Sequence, residues 1–540
     1  MFRSAFFAVL MAGLPVIRPV QADDKPATSP HIVVQIQPVD KWLTDGLIAC
    51  KSLAPVLAAF DLKDAKPEEL LALVLSRGWR EAIESSKPWG LYLVLHDEIA
   101  ASEPVFLVPV KTPEAFIKLL DSFHVSAQEE NGAFTLEGAF LPQPLCLRFA
   151  HGYAYAALSA EPVALPRLVK PGEMFLAKQK VQLEMRTLLD HPSAKWKESL
   201  AALVDSFAIG GLPGQKQLFE AIAELMREAL AGSRDLNARL QIDPKTGVTI
   251  LDAEWNPVPD SPWAKRIAKL QPLHSRFGKA FDEGAAASYS QTYEFPGALY
   301  YSPKLAGSII NDLKPELEEI KIDPEKLDAV IRTVLPSLHT DVYDTAIALF
   351  QENDKCCAVY GIGIKDGVKS EKILLEYAKE LPEKAREYVS LSAAKAGSVN
   401  LHRIKLPAKA LEDIRSEVPF FGDSELWFAI QDDALILAFG DRAKERLEKS
   451  LTRSVLEPAP LFRLDVDIYK IMPLAEHYPD RADTVYRTLK TYQEFAGNDG
   501  RRVGLSLTRQ EANSLKIHFE TNVLSIVRLI AAYFKAEEEK

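Results

Sequence analysis

Cysteine is scarce, with four residues in 540. Cys50, Cys146, Cys356 and Cys357 have no metal-ligand spacing, and the adjacent Cys356-Cys357 pair cannot readily bridge itself. They read as small buried hydrophobes, with Cys50 to Cys146 the one pairing left open. Basic charge is also short, 64 Lys and Arg against 75 Asp and Glu, a net charge of -11. That balance favours solubility and argues against a nucleic-acid partner, which would want a basic surface. Beyond the N-terminal region no apolar run reaches the length that spans a bilayer.

Catalytic signatures are missing too. The sequence has no Gly-x-Ser-x-Gly elbow, no His-Glu-x-x-His helix, no Gly-x-x-x-x-Gly-Lys loop and no Cys-x-x-Cys pair. Gly361-Ile362-Gly363 follows a strand pattern, but its spacing is wrong for a dinucleotide loop, so a strand and turn are expected. No cofactor is implied. These absences lower the case for an enzyme, although sites also assemble from distant positions.

What is present begins with Arg3, an uncharged and mostly apolar run from Ser4 to Ile17, and Val20-Gln21-Ala22 before Asp23-Asp24. This is the order of a cleaved secretory signal. Residues 1–22 are expected to be the signal peptide, and the protein to be exported, periplasmic or secreted. Residues 23–30 form a flexible arm, 31–280 and 281–535 two α+β halves, and 536–540 a charged tail.

The division into halves rests on an apparent internal repeat. Pro104 to Ala157 runs from an apolar strand through Lys111-Thr112-Pro113 into an amphipathic helix bearing Phe116, Leu119 and Leu120. A loop with a turn signal at Asn131-Gly132 follows, then apolar runs at Phe134 to Leu136 and Leu145 to Ala157. Cys357 to Leu437 repeats that order with Lys365-Asp366-Gly367 and Gly397, and with a polar helical or loop stretch from Glu383 to Ala394. Elsewhere three- and four-residue apolar steps predict helices, as at Leu43, Leu47, Cys50, Ala54 and Leu57. Short alternating runs predict strands, as at Leu236 to Ile242 and Val248 to Trp255. The expected fold is α+β: two related halves from an internal duplication, each a mainly antiparallel sheet packed with amphipathic helices.

Trp42, Leu47, Trp79, Tyr289, Tyr293 and Tyr300 lie on elements that open each half and could line a groove for an apolar or lipid ligand; core packing is the competing account. His191 and His477 sit beside acidic residues near helix ends, and His96 ends a strand. Together these histidines supply an alternative reading as a hydrolase with a site assembled from both halves. No residue is assigned a catalytic or metal-binding role.

The run Phe106-Leu107-Val108-Pro109-Val110-Lys111-Thr112-Pro113-Glu114-Ala115-Phe116, with Arg148-Phe149-Ala150-His151-Gly152-Tyr153-Ala154-Tyr155-Ala156, resembles modules in large exported bacterial proteins of unknown function. The resemblance implies no activity and no site residues. The expected function is that of an exported, non-enzymatic cell-envelope protein that binds or scaffolds, with an apolar ligand or an envelope protein as partner.

Overall fold

A computed structural model describes residues 30–52, 77–95, 102–176, 181–189, 227–270, 274–277, 281–294, 322–334, 342–415, 425–471, 474, 487–488, 502–510 and 514–526, apart from short interruptions. The chain divides into two compact units. The first comprises Met1–Ile267, Gln510–Lys516 and Asn522–Ile526; the second comprises Ala268–Arg509, Ile517–Thr521 and Val527–Lys540.

In chain order the first elements are β1 (Ile32–Ile36), α1 (Val39–Ser52), α2 (Arg77–Ala82), β2 (Trp89–Leu93), β3 (Pro104–Pro109), α3 (Pro113–Asp121), β4 (Val125–Glu130) and β5 (Ala133–Gly138). Then come β6 (Leu145–Ala150), β7 (Tyr153–Ala157), α4 (Pro171–Met174), β8 (Leu183–Leu188), β9 (Ser233–Ile242), β10 (Val248–Pro257) and α5 (Pro262–Lys269). The strands of the first unit pair antiparallel in the order β4-β5-β6-β7-β3-β2-β1-β8-β9-β10.

Beyond α5 lie β11 (His274–Ser275), β12 (Ala287–Glu294), α6 (Pro324–Val334), β13 (Val342–Glu352), β14 (Lys355–Gly363), α7 (Gly367–Glu380), α8 (Glu383–Arg386), β15 (Val389–Ala396) and β16 (Val399–Lys405). β17 (Glu425–Ile430), β18 (Ala434–Gly440), α9 (Ala443–Arg453), β19 (Glu457–Pro458), β20 (Phe462–Asp467), α10 (Ile468–Ile471), β21 (Arg502–Arg509) and β22 (Leu515–Asn522) complete the described elements. In the second unit the antiparallel order is β15-β16-β17-β18-β14-β13-β12-β20-β21. β11 pairs separately with β19. Leaving out that short pair, both orders place the first strand of the unit between its second and its eighth.

The expected α+β class is corrected by this architecture. Strand outweighs helix among the described residues, 46% against 29%, and twenty strands are hydrogen-bonded as antiparallel sheet. Part of the difference is strand hidden in polar sequence. Ser126 to Glu130 was expected as loop but forms β4, where Gln128, Glu129 and Glu130 are exposed. The stretch expected as polar helix or loop, Glu383 to Ala394, holds only the one-turn α8 before turning into β15. Both strands have a single partner among the described strands. Where consecutive residues of such a strand are exposed on both faces, as at Gln128, Glu129 and Glu130 or at Ser392 and Ala393, the apolar-polar alternation is lost. The third contribution is a hairpin read as one run: Leu145 to Ala157 is two strands joined where His151 and Gly152 both take positive φ, 52° and 75°.

Local chemistry explains the elements that matter below. Thr112 caps α3 with its hydroxyl accepting from the Ala115 amide at 3.2 Å, and Pro113 occupies the first turn, where its missing N–H costs nothing. Glu114 in that turn complements the helix dipole. Phe116, Leu119 and Leu120, three and four residues apart, form the buried face and pack on Leu136, Leu145 and Leu147 of the sheet. Fully burying an aliphatic or aromatic side chain of this kind contributes about 1.5–3 kcal/mol. In the second unit Phe277 and Phe281 meet edge to face, with centroids 5.4 Å apart, over Ala346, Val359 and Ile436.

Candidate functional site

A strongly apolar cavity lies in the first unit, between α2 and α3 on one side and strands β3, β5, β6 and β7 on the other. It measures about 80 Å³, and its walls include Trp79, Trp89, Phe116, Leu147, Ala154 and Ala156. The cause is legible in β7. Tyr153-Ala154-Tyr155-Ala156 alternates large and small residues, so the period of two sends both tyrosines to one face and both alanines to the other. On the tyrosine face Tyr155 donates its hydroxyl to the Val169 carbonyl at 3.0 Å. Burial pushes the Tyr153 hydroxyl up to about 12. On the alanine face the short side chains leave space beneath α3 that neighbouring leucines and phenylalanines do not fill.

Trp79 and Trp89 stack at one wall, their ring centroids 5.7 Å apart and their planes 19° from parallel. Each indole is 8% exposed. Behind the wall residue Phe116, Phe149 meets Phe116 and Phe134 edge to face at 5.9 and 5.5 Å. A lining so poor in polar groups offers dispersion and water exclusion, and nothing to move a proton or hold a charge.

The residues anticipated for an apolar groove are scattered. Trp79 lines the cavity. Trp42 is on α1, 39% exposed, and is not part of the wall. Leu47 is in α1, but its side chain lies outside the described residues. Tyr289 and Tyr293 belong to β12 in the second unit, where they rest against Phe462 and Tyr343. Tyr300 lies outside the described residues, as do His96, His191 and His477. Sequence reasoning missed Trp89, Phe116, Ala154 and Ala156 as pocket residues. The signal for the last two was the large-small alternation of β7.

Two buried titratable groups in the second unit have structural surroundings. His402 is fully buried and stacks on Phe428 with centroids 4.7 Å apart. Its Nδ1 accepts from the Ser392 amide at 3.2 Å, so its Nε2 carries the hydrogen donated to Glu371 Oε1 at 3.0 Å. Burial lowers the His402 pKa, opposed by the Glu371 carboxylate. With both nitrogens engaged, the ring has none to offer a substrate. Asp344, on β13, accepts from Thr292 Oγ1 at 3.1 Å and from the Arg276 amide at 3.4 Å. Burial raises its pKa against those hydrogen bonds.

Among the described residues no three His, Cys, Asp or Glu side chains gather as a metal-binding set. The Cys146, Cys356 and Cys357 thiols are free in this structure, and the side chain of Cys50, the partner left open for Cys146, lies outside the described residues. No described helix is long and apolar enough to cross a membrane. No family model, curated protein or solved structure matches the chain.

Proposed function

We propose that this chain is an exported, non-enzymatic cell-envelope protein that binds or scaffolds, and that its first unit takes the end of an apolar chain between sheet and helix. The observation that carries the reading is the apolar space walled by the stacked Trp79-Trp89 pair and the alanine face of β7. At about 80 Å³ it is roughly half the ~150 Å³ of a cavity known to hold a benzene ring. That size suits the tip of an acyl or alkyl chain, with the remainder of the ligand outside. The acidic balance of the chain supports a partner other than nucleic acid.

Native mass spectrometry after gentle purification, followed by thermal unfolding with added decanoate, tests the reading. A bound apolar mass and a melting temperature that rises with decanoate are expected, since a ligand at about a hundred times its Kd adds about 2.7 kcal/mol. Ala156→Leu, which fills the space under α3, should weaken decanoate binding at least tenfold while the protein stays folded. Absence of any bound apolar mass together with no decanoate stabilisation would reject it.

A further inference from the structure

A second cavity in the first unit, of about 490 Å³, has a different chemistry. It is built on one face of β8, β9 and β10. The register sets Arg186 against Asn237 and Asp235 against Asn256, so strand pairing alone brings these four polar residues side by side. Asp235 is 9% exposed and organises them. Its Oδ1 accepts from Asn237 Nδ2 at 2.8 Å and Asn256 Nδ2 at 2.6 Å, and its Oδ2 accepts from Arg234 Nε at 2.7 Å.

That arrangement fixes both amides. A carboxylate only accepts, so each Asn must turn its nitrogen toward Asp235. Each amide then keeps one carbonyl oxygen and one N–H for a ligand. The charged lining residues are two of each sign, Arg186 and Arg234 against Asp235 and Glu173. The rest of the lining is largely aliphatic, with Val33 and Leu188 on the same sheet face as Arg186, and with Leu168 and Met174. The volume falls within the ~300–1,000 Å³ typical of small-molecule sites.

We infer that this cleft is a binding site for a neutral saccharide. A pyranose has hydroxyls that both donate and accept, matching paired amides that present one acceptor and one donor each. Its C–H face suits the aliphatic wall. Charge balance disfavours an anion, and half of the wall being polar disfavours a lipid tail. The cleft shares no wall residue with the apolar cavity, so the two readings stand or fall separately.

A glycan array carrying neutral and anionic glycans, followed by calorimetric titration of the strongest neutral hit, tests the assignment. Binding to neutral glycans is expected, weakened at least about tenfold by Asn256→Ala, the loss of about one to two net hydrogen bonds. Circular dichroism and melting temperature verify that the variant folds; should it not fold, Asn237→Ser serves in its place. No neutral glycan above background, binding confined to anionic glycans, or hits that both variants leave unchanged would overturn the inference.

Discussion

His402 Nε2 lies 3.0 Å from Glu371 Oε1 at a position closed to solvent, with the Ser392 amide held on the opposite ring nitrogen. The neutral ring satisfies both partners; a second proton on Nδ1 would face the Ser392 N–H and break that hydrogen bond. The folded-state pKa is lowered from 6.5, chiefly by burial. A group with a depressed folded pKa stabilises the native state above its unfolded pKa, and that contribution is lost as pH falls. Urea unfolding between pH 7.5 and 5 should therefore show stability declining below about pH 6.5. His402→Phe, which keeps the stack on Phe428 and cannot titrate, should flatten that decline. An identical pH profile in wild type and variant would contradict the assignment.

A close approach on β14 gives a second prediction. A methyl group added at Gly361 would stand 2.6 Å from Phe277 Cδ1 and 2.9 Å from Phe281 Cζ, both in fully packed rings. Gly361→Ala should destabilise by about 1–3 kcal/mol, the usual cost of overpacking a core. Gly172→Ala is the control, because nothing lies within 4 Å of its added carbon. It should change stability by less than about 0.5 kcal/mol in the same denaturant titration.

Thiol chemistry gives a third. Burial pushes the Cys356 thiol up to about 11 and the Cys357 thiol to about 12. Since the thiolate is the nucleophile, both should resist iodoacetamide at pH 8 in the native protein and react promptly in urea. Cys146, only partly buried on β6, should label faster than either. Peptide mapping by mass spectrometry reads all three sites at once. Prompt native labelling of Cys357 would contradict its placement in the core.

How much of this was legible depended on which side of an element meets water. The α3 cap, its proline and its apolar stripe were all readable at Thr112, Pro113, Phe116, Leu119 and Leu120, because local chemistry dictates them. So was the turn at Asn131-Gly132, where both residues take positive φ. β4 and β15 escaped notice because consecutive residues exposed on both faces, Gln128 to Glu130 and Ser392 with Ala393, lack the alternation that periodicity searches for. The apolar cavity was half legible: Trp79 stood out as an aromatic, whereas Trp89 gained its meaning only by stacking on it. Asn237 neighbours Asp235 along β9 itself, whereas Asn256, nineteen positions beyond Asn237, joins them only through the pairing of β9 with β10.

The same two overlooked strands bear on how copies of this protein behave toward one another. An outermost strand with free amides and carbonyls invites a foreign strand to add on, the first step toward fibres. β4 carries Glu129 and Glu130 in the open, and β15 carries Lys395 in the open and a register shift between Ser390 and Ala394 around Ser392, whose φ is 56°. Charge on one and irregular geometry on the other make each a poor template for growth. The polar sequence that disguised these two margins is thus also what guards them against strand addition.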